Sequence, residues 1–362
     1  MNILQDIFKL LLTIFIFQFA VLLIYIKDCS YCSYSPNLSV YLFGGLLFVL
    51  VYIFCTLLAS NTYAPKFRQH KTDFWVNLFT LTLCLYIFYY FKDAQGIFGL
   101  KMFVQSGYSN VGFIYKIAST ILPALLIYLL FHVDKGLFEY FLIFLIIFAL
   151  LTVTFYFLSK TPVIVLLLLP WILRKKIPKL YLILISAVGL FGWLMVAFIR
   201  ESIGNEELTI FDAFFDILFR IPNWYEFVLL LEKFDLSTNV TLLNYNEIIT
   251  MEVFGYTSSG TGLATTFLGT LYIFFGYFAF LIAPIFIIIL KSILDVLAKK
   301  GGKIACIFFY ILLLDYAPFI MDGNPSFLTG TNNYAAFWLL NICLLFFIFL
   351  RGFSNENNSM SK

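Results

Sequence analysis

Apolar residues run along this chain in blocks too long and too unbroken for the elements of a water-soluble domain. Blocks that reach or approach the length of a membrane crossing occupy 10–26, 38–60, 75–91, 117–131, 138–158, 161–173, 180–199, 268–290, 304–321 and 334–350. A helix needs about 20 apolar residues to cross a hydrocarbon core of about 30 Å. Open strands in lipid would leave backbone groups unpaired, so the pattern predicts an all-α bundle. Trp75, Trp171, Trp193 and Trp338 fall near block ends, as interfacial aromatics do. The block 10–26 is not followed by a small-residue cleavage site and is expected to be a retained span. No internal repeat is evident.

The basic residues sort the loops by side. Lys66, Arg68 and Lys71 lie in 61–74; Arg174, Lys175, Lys176 and Lys179 in 174–179; Lys291, Lys299, Lys300 and Lys303 in 291–303. Even numbers of blocks separate these loops, so they share one side, expected to be the cytoplasm. The reading is a polytopic protein of about ten transmembrane helices with both termini cytoplasmic. Its parts are a seven-helix bundle (1–199), a large outer loop (200–267), three further helices (268–350) and a cytoplasmic tail (351–362) that is polar from Ser354.

Composition agrees with this picture. Of 362 residues, 62% are hydrophobic and 12% charged, against about 25% charged in an ordinary soluble domain. A net charge of +3 gives no basis for a nucleic-acid partner, and none is expected. Cys55, Cys84, Cys306 and Cys343 sit in apolar blocks, where thiols act as packing residues. Cys29 and Cys32 form a C-x-x-C in the first outer loop and are a candidate disulfide or redox pair. With no second pair or nearby His, no metal site is expected. His70 and His132 are both placed in cytoplasmic loops.

The outer loop 200–267 is long enough to carry function. It holds ten carboxylates, from Glu201 to Glu252, against Arg200, Arg220 and Lys233. Phe211, Phe214, Phe215, Leu218 and Phe219 recur at helical spacing with Asp212, Asp216 and Arg220 on another face. That pattern predicts a short amphipathic helix at the membrane surface. A second helix is expected from about Asn223 to Phe234, carrying Trp224, Tyr225, Glu226 and Glu232. These helices either cap the bundle or wall a substrate site in which Trp224 and Tyr225 stack on sugar rings. Then follows Gly255 to Gly262, with Tyr256 and Ser258, a stretch whose backbone and hydroxyls can approach phosphate or sugar oxygens, or a pliant lead-in to the next span.

Ionisable residues at membrane depth are functional candidates by default. Lys160 lies between two apolar blocks, and the block after it has only 13 residues, 161–173. At about 1.5 Å per residue such a helix falls short of the core, so Lys160 is expected below the outer surface, in a wet cavity or snorkelling. Asp315 lies inside 304–321, with Pro318 after it. Arg200 and Glu201 end the seventh span, where Arg200 could bind phosphate in bidentate fashion or anchor the helix. No P-loop, dinucleotide fingerprint or outer-side Ser/His pair is present. Cations, carboxylates and aromatics around an outward cavity suit a lipid-linked pyrophosphate sugar donor. Cations would stabilise the departing pyrophosphate and a carboxylate would take the proton of the attacking hydroxyl, from among Glu201, Glu226, Glu247 and Glu252.

The arrangement resembles the O-antigen polymerases, the Wzy-type oligosaccharide repeat-unit polymerases. The resemblance rests on length, span count, the Ser159-Lys160-Thr161 turn before a short helix and the large loop opening with Arg200-Glu201. Above all it rests on Gly260 to Ile282, with Leu271-Tyr272 and Phe275-Gly276-Tyr277. It implies a metal-independent, cofactor-free periplasmic glycosyltransferase of GT-C type. Such an enzyme takes undecaprenyl-pyrophosphate-linked oligosaccharides as donor and acceptor, in membrane lipid, beside a chain-length regulator and a flippase. Arg200, Glu201 and Lys160 would be catalytic. Arg220, Trp224, Tyr225, Glu226, Glu247, Glu252, Tyr256, Ser258, Tyr272 and Asp315 would bind substrate. Where the family often has Arg before the short helix, this chain has Lys160. The rival readings are an O-antigen ligase, which typically carries a His in the large loop that 200–267 lacks, and a lipid-linked oligosaccharide flippase or other transporter.

Overall fold

The computed structural model describes residues 3–25, 37–62, 73–91, 117–157, 224–238, 266–300 and 302–322, with isolated positions between them. Among these residues the elements are helical: α1 (Ile3–Tyr25), α2 (Leu38–Leu58), α3 (Phe74–Phe91), α4 (Leu122–His132), α5 (Leu137–Phe157), α6 (Trp224–Lys233), α7 (Phe267–Phe275), α8 (Ala279–Lys300) and α9 (Lys303–Asp322). A π-helical turn, Ile117–Ile121, precedes α4, and a 3-10 turn, Gly276–Phe278, joins α7 to α8. The apolar blocks 161–173 and 334–350 lie outside the described residues, and 180–199 is described only at isolated positions.

Among the described residues, three helices are long and apolar enough to cross a membrane: Leu38–Leu58, Phe74–Phe91 and Phe267–Lys299, the last taken through its 3-10 turn. Two further apolar helices, Ile117–His132 and Leu137–Val153, are shorter. The chain divides into two compact units: Met1–Ala64 with Leu167–Leu294 and Asp315–Ser326, and Pro65–Leu166 with Asp295–Leu314 and Phe327–Lys362.

In the first unit α1 and α2 pack antiparallel. Leu4, Phe8, Leu11, Phe15 and Gln18 of α1 are buried at four- and three-residue steps, the seam of a close helix pair. Phe8 meets Tyr52, Phe15 stacks on Phe48 and Phe19 on Tyr41, so residue numbers rise on one helix as they fall on the other. The Tyr41 hydroxyl donates to the Phe19 carbonyl at 3.0 Å. A Cβ on Gly45 would lie 2.6 Å from the Phe19 ring, so the missing side chain is what admits it. The opposite face of α2 exposes Leu42, Leu46, Leu50 and Leu57. A helix apolar on every side, packed on one and bare on the other, fits lipid and not water.

In the second unit α3 and α5 run parallel. Asn77, Thr80, Cys84, Ile87 and Phe91 form the buried seam of α3. Its start meets the start of α5 through Asn77 and Glu139, and its end meets α5 through Phe88 and Phe148. Leu137, Phe141, Phe144 and Phe148 form an exposed apolar stripe on α5. Glu139 caps its own helix, its Oε2 accepting the Gly136 amide at 2.8 Å. In the turn before α4, Pro123 has no N–H for the Ser119 carbonyl, and the chain there takes the wider π spacing.

Two boundaries differ from the apolar blocks. Helix α1 begins at Ile3 and not near residue 10, because Leu4 and Ile7 continue its buried seam between Gln5, Asp6 and Lys9. Helix α8 continues through the basic segment to Lys300, since Leu290, Leu294 and Leu297 stay buried at helical spacing while Lys291, Asp295 and Lys299 take other faces. Charge ends an apolar block; it does not end a helix.

Candidate functional site

The second helix of the large loop forms, and it is enclosed. Phe227, Val228, Leu229 and Leu230 are all buried. Four successive residues, about 100° apart around a helix, cover most of its circumference. Helix α6 lies antiparallel against α2: Phe227 meets Phe48, Val228 and Leu231 close on Gly44, and the Glu232 carboxylate accepts the Asn37 amide at 3.2 Å. Gly44 thus admits α6 as Gly45 admits α1. Of the expected binding residues here, Trp224, Tyr225 and Glu226 form the first turn of α6, and their side chains lie outside the described residues.

Past α6 the chain makes a tight turn. Asp235 accepts the Ser237 amide at 2.8 Å and the Ser237 hydroxyl at 2.7 Å. The amide first and the hydroxyl second hold its carboxyl below the ordinary carboxylate range. Leu236 then touches Gly276 in the span that follows.

That span begins at Thr266, whose hydroxyl caps α7 by accepting the Gly269 amide at 2.9 Å. Tyr272 is buried, its ring edge-on to Tyr277. At Gly276 the backbone turns to φ 55° and ψ −138°, a conformation close to glycine-only, and the helix breaks. Leu236, Thr238 and Val240 on one side and Ile273 to Ile285 on the other enclose an open groove of about 670 Å³ at this break.

Asp315 is 5% exposed on α9. One turn further along the same face, Phe319 sits edge-on to Phe267 at 5.0 Å, and Phe286 packs on both Phe319 and Tyr316. Asp315 thus precedes by one helical turn the residue of α9 that packs on the start of α7. Lys160 lies outside the described residues, as do Arg200, Glu201, Arg220, Glu247, Glu252, Tyr256 and Ser258, the helix expected over 211–220, and Cys29 and Cys32. Cys55, Cys84 and Cys306 are buried free thiols. No cluster of His, Cys, Asp or Glu among the described residues could hold a metal ion.

His132 is not the loop residue that the hydropathy pattern predicts: it is the buried last residue of α4, with Nε2 3.1 Å from the Tyr310 hydroxyl and its ring stacked on Tyr128. The four-residue spacing of Tyr128 and His132 was the available signal, masked because the apolar block stops at 131.

The fold and its bare apolar faces define an α-helical membrane protein. Comparison with family models, characterised proteins and solved structures finds no match.

Proposed function

We propose that this protein is a polymerase of lipid-linked oligosaccharide repeat units. In this reading it has about ten spans, crosses the bacterial inner membrane and has both termini in the cytoplasm. It transfers a growing chain from undecaprenyl pyrophosphate to a single lipid-linked unit on the periplasmic side. The observation that carries the reading is Asp315, a buried carboxyl in the apolar helix α9, one turn before Phe319, which packs on Phe267 at the start of α7. An acid at that depth is retained at a cost of about 2.5 kcal/mol or more, and sugar hydroxyls are a chemistry that uses it. Arg200 and Lys160 supply positive charge for the pyrophosphate, and a loop carboxylate takes the acceptor's proton.

The test is the surface-polysaccharide gel profile of a deletion strain with and without the complementing gene. Collapse of the ladder to core plus one repeat unit supports polymerisation. Bare core with long lipid-linked chains indicates a ligase, and bare core with single lipid-linked units a flippase. An unchanged ladder removes the reading. Arg200→Ala and Lys160→Ala are expected to abolish chain extension at normal membrane abundance; normal chain length in both would overturn the assignment of these two residues.

A further inference from the structure

The 33-residue apolar stretch Phe267–Lys299 is long enough to cross a membrane in one line, but it does not run in one line. The rings of Phe267 and Phe286 have centroids 5.5 Å apart. Were α7 and α8 collinear through the 3-10 turn, about 30 Å of helix would separate these two residues. Two phenylalanine side chains cannot close that distance. Phe319 of α9 meets both rings, at 5.0 and 5.7 Å, and Tyr272 meets Tyr277 across the turn at 5.6 Å. The chain therefore doubles back at Gly276, where the backbone takes its glycine-specific conformation, and α7 and α8 form a hairpin with its tip there.

Contacts with α2 fix how deep the hairpin stands. Helix α2 has 21 residues, a rise of about 31 Å, and matches a hydrocarbon core of about 30 Å. At one end of α2 the Ser60 carbonyl accepts Lys291 of α8 at 2.6 Å. At the other the Asn37 amide donates to Glu232, and Leu236, four residues further on, touches Gly276. The tip thus lies toward Asn37, and Lys291 toward Ser60. Phe286 stands about 8 Å along α8 from Lys291. Helix α7, which starts beside Phe286, begins well inside the core and rises toward the Asn37 end.

Helix α6 does the same. Gly44, about 10 Å from Asn37 along α2, takes Val228 and Leu231 against it. Because α6 runs antiparallel to α2, its first turn, Trp224 to Glu226, lies about 18 Å from Asn37, near the middle of the core. From there α6 rises to the Glu232–Asn37 contact, packed against α7. A helix resting on the membrane surface would lie across the end of α2 and not along it. All of these residues belong to the first unit.

We infer that α6 and α7 are re-entrant half-helices: the large loop does not cap the bundle but descends into it twice and plugs its Asn37 half. Burial agrees. A helix that starts at membrane depth has no water for its amides. Thr266, Phe267 and Leu268 are buried, and the Thr266 hydroxyl takes the place of water at the Gly269 amide. Which side the plug closes rests on the proposed function, in whose orientation Asn37 faces the periplasm. There the site residues on the first turn of α6 act near mid-membrane and not at its surface.

The experiment measures distances between paired spin labels by EPR, on the full chain with its native cysteines replaced by alanine, in phosphatidylethanolamine–phosphatidylglycerol vesicles. Labels at Phe267→Cys and Phe286→Cys are expected within about 20 Å of each other, against about 30 Å for one continuous helix. Leu268→Cys with Ile285→Cys, which leaves the three rings in place, repeats the test if the first pair disturbs folding. Labels at Val228→Cys and Phe54→Cys are expected about 15–20 Å apart, against more than about 25 Å for a helix on the surface. The long distance at either α7–α8 pair, or at the α6–α2 pair, overturns the inference. Short distances in a protein whose deletion leaves the polysaccharide ladder intact would sink the polymerase reading and keep the half-helices. A collapsed ladder with long distances would do the reverse.

Discussion

Two glycine sites in apolar helices of one unit do opposite things. Gly44 and Gly45 sit in unbroken helix, where the missing side chain lets α6 and α1 approach: a Cβ would meet Leu231 and Val228 at 3.1 Å on one, and Phe19 at 2.6 Å on the other. At Gly276 there is room for a Cβ, since Leu236 stands at 3.4 Å, but the backbone has φ 55°. The first pair is needed for what lies outside the helix, the second for what the chain itself does. The first makes a tight seam. The second breaks a span and opens a groove.

That contrast predicts different rescues. Gly45→Ala is expected to cost about 1–3 kcal/mol by overpacking, because the Phe19 ring it would meet is packed on Phe15 and Tyr41. Gly276→Ala is expected to cost a similar amount, about 1–3 kcal/mol, through backbone strain alone. Adding Phe19→Leu should restore most of the first loss, whereas adding Leu236→Ala should restore none of the second. Thermal unfolding in detergent of the four variants measures this; rescue of Gly276→Ala by a smaller Leu236 would erase the distinction.

A smaller effect is expected where the broken span begins. Thr266→Ala removes the hydroxyl that accepts the Gly269 amide, at about 0.5–2 kcal/mol, and Thr266→Ser should retain most of it. Hydrogen exchange confined to the first turn of α7 would report the loss; protection equal to that of the parent would mean that packing of Phe267 holds the turn unaided.

The smallest effect belongs to Asp235. Its carboxyl titrates below the ordinary range in the folded chain. The stability it contributes is therefore present above the unfolded-state value and lost as pH falls through the folded one. Ser237→Ala removes the hydroxyl donor and leaves the amide, so that increment should shrink without vanishing. Unfolding temperatures at neutral and acid pH, compared between parent and variant, check the sign; a larger acid-dependent loss in Ser237→Ala would contradict it.

Much of the fold was legible because lipid imposes length. The blocks 38–60, 75–91 and 138–158 reappear as α2, α3 and α5 to within a few residues. The stretch 223–234 reappears as α6. Less of the site was legible. Tyr272, expected at a binding surface, is buried, and nothing in its spacing distinguishes the inner face of a helix that is apolar all round. His132 was misplaced because hydropathy ends a block at the first polar residue, even when that residue is buried against Tyr310.

What the chain determined by itself is therefore local and one-dimensional: which segments are helical, how long they are, and where charge bounds the apolar blocks. Backbone hydrogen bonds and hydrocarbon thickness act on each segment alone, so no neighbour is needed to read them. Tertiary structure decided which face of each helix is covered, that α6 folds back along α2, and that one glycine seals a seam while another breaks a span. In a sequence apolar on every side those choices leave no polarity contrast, and only the shape of the neighbouring side chains selects among them.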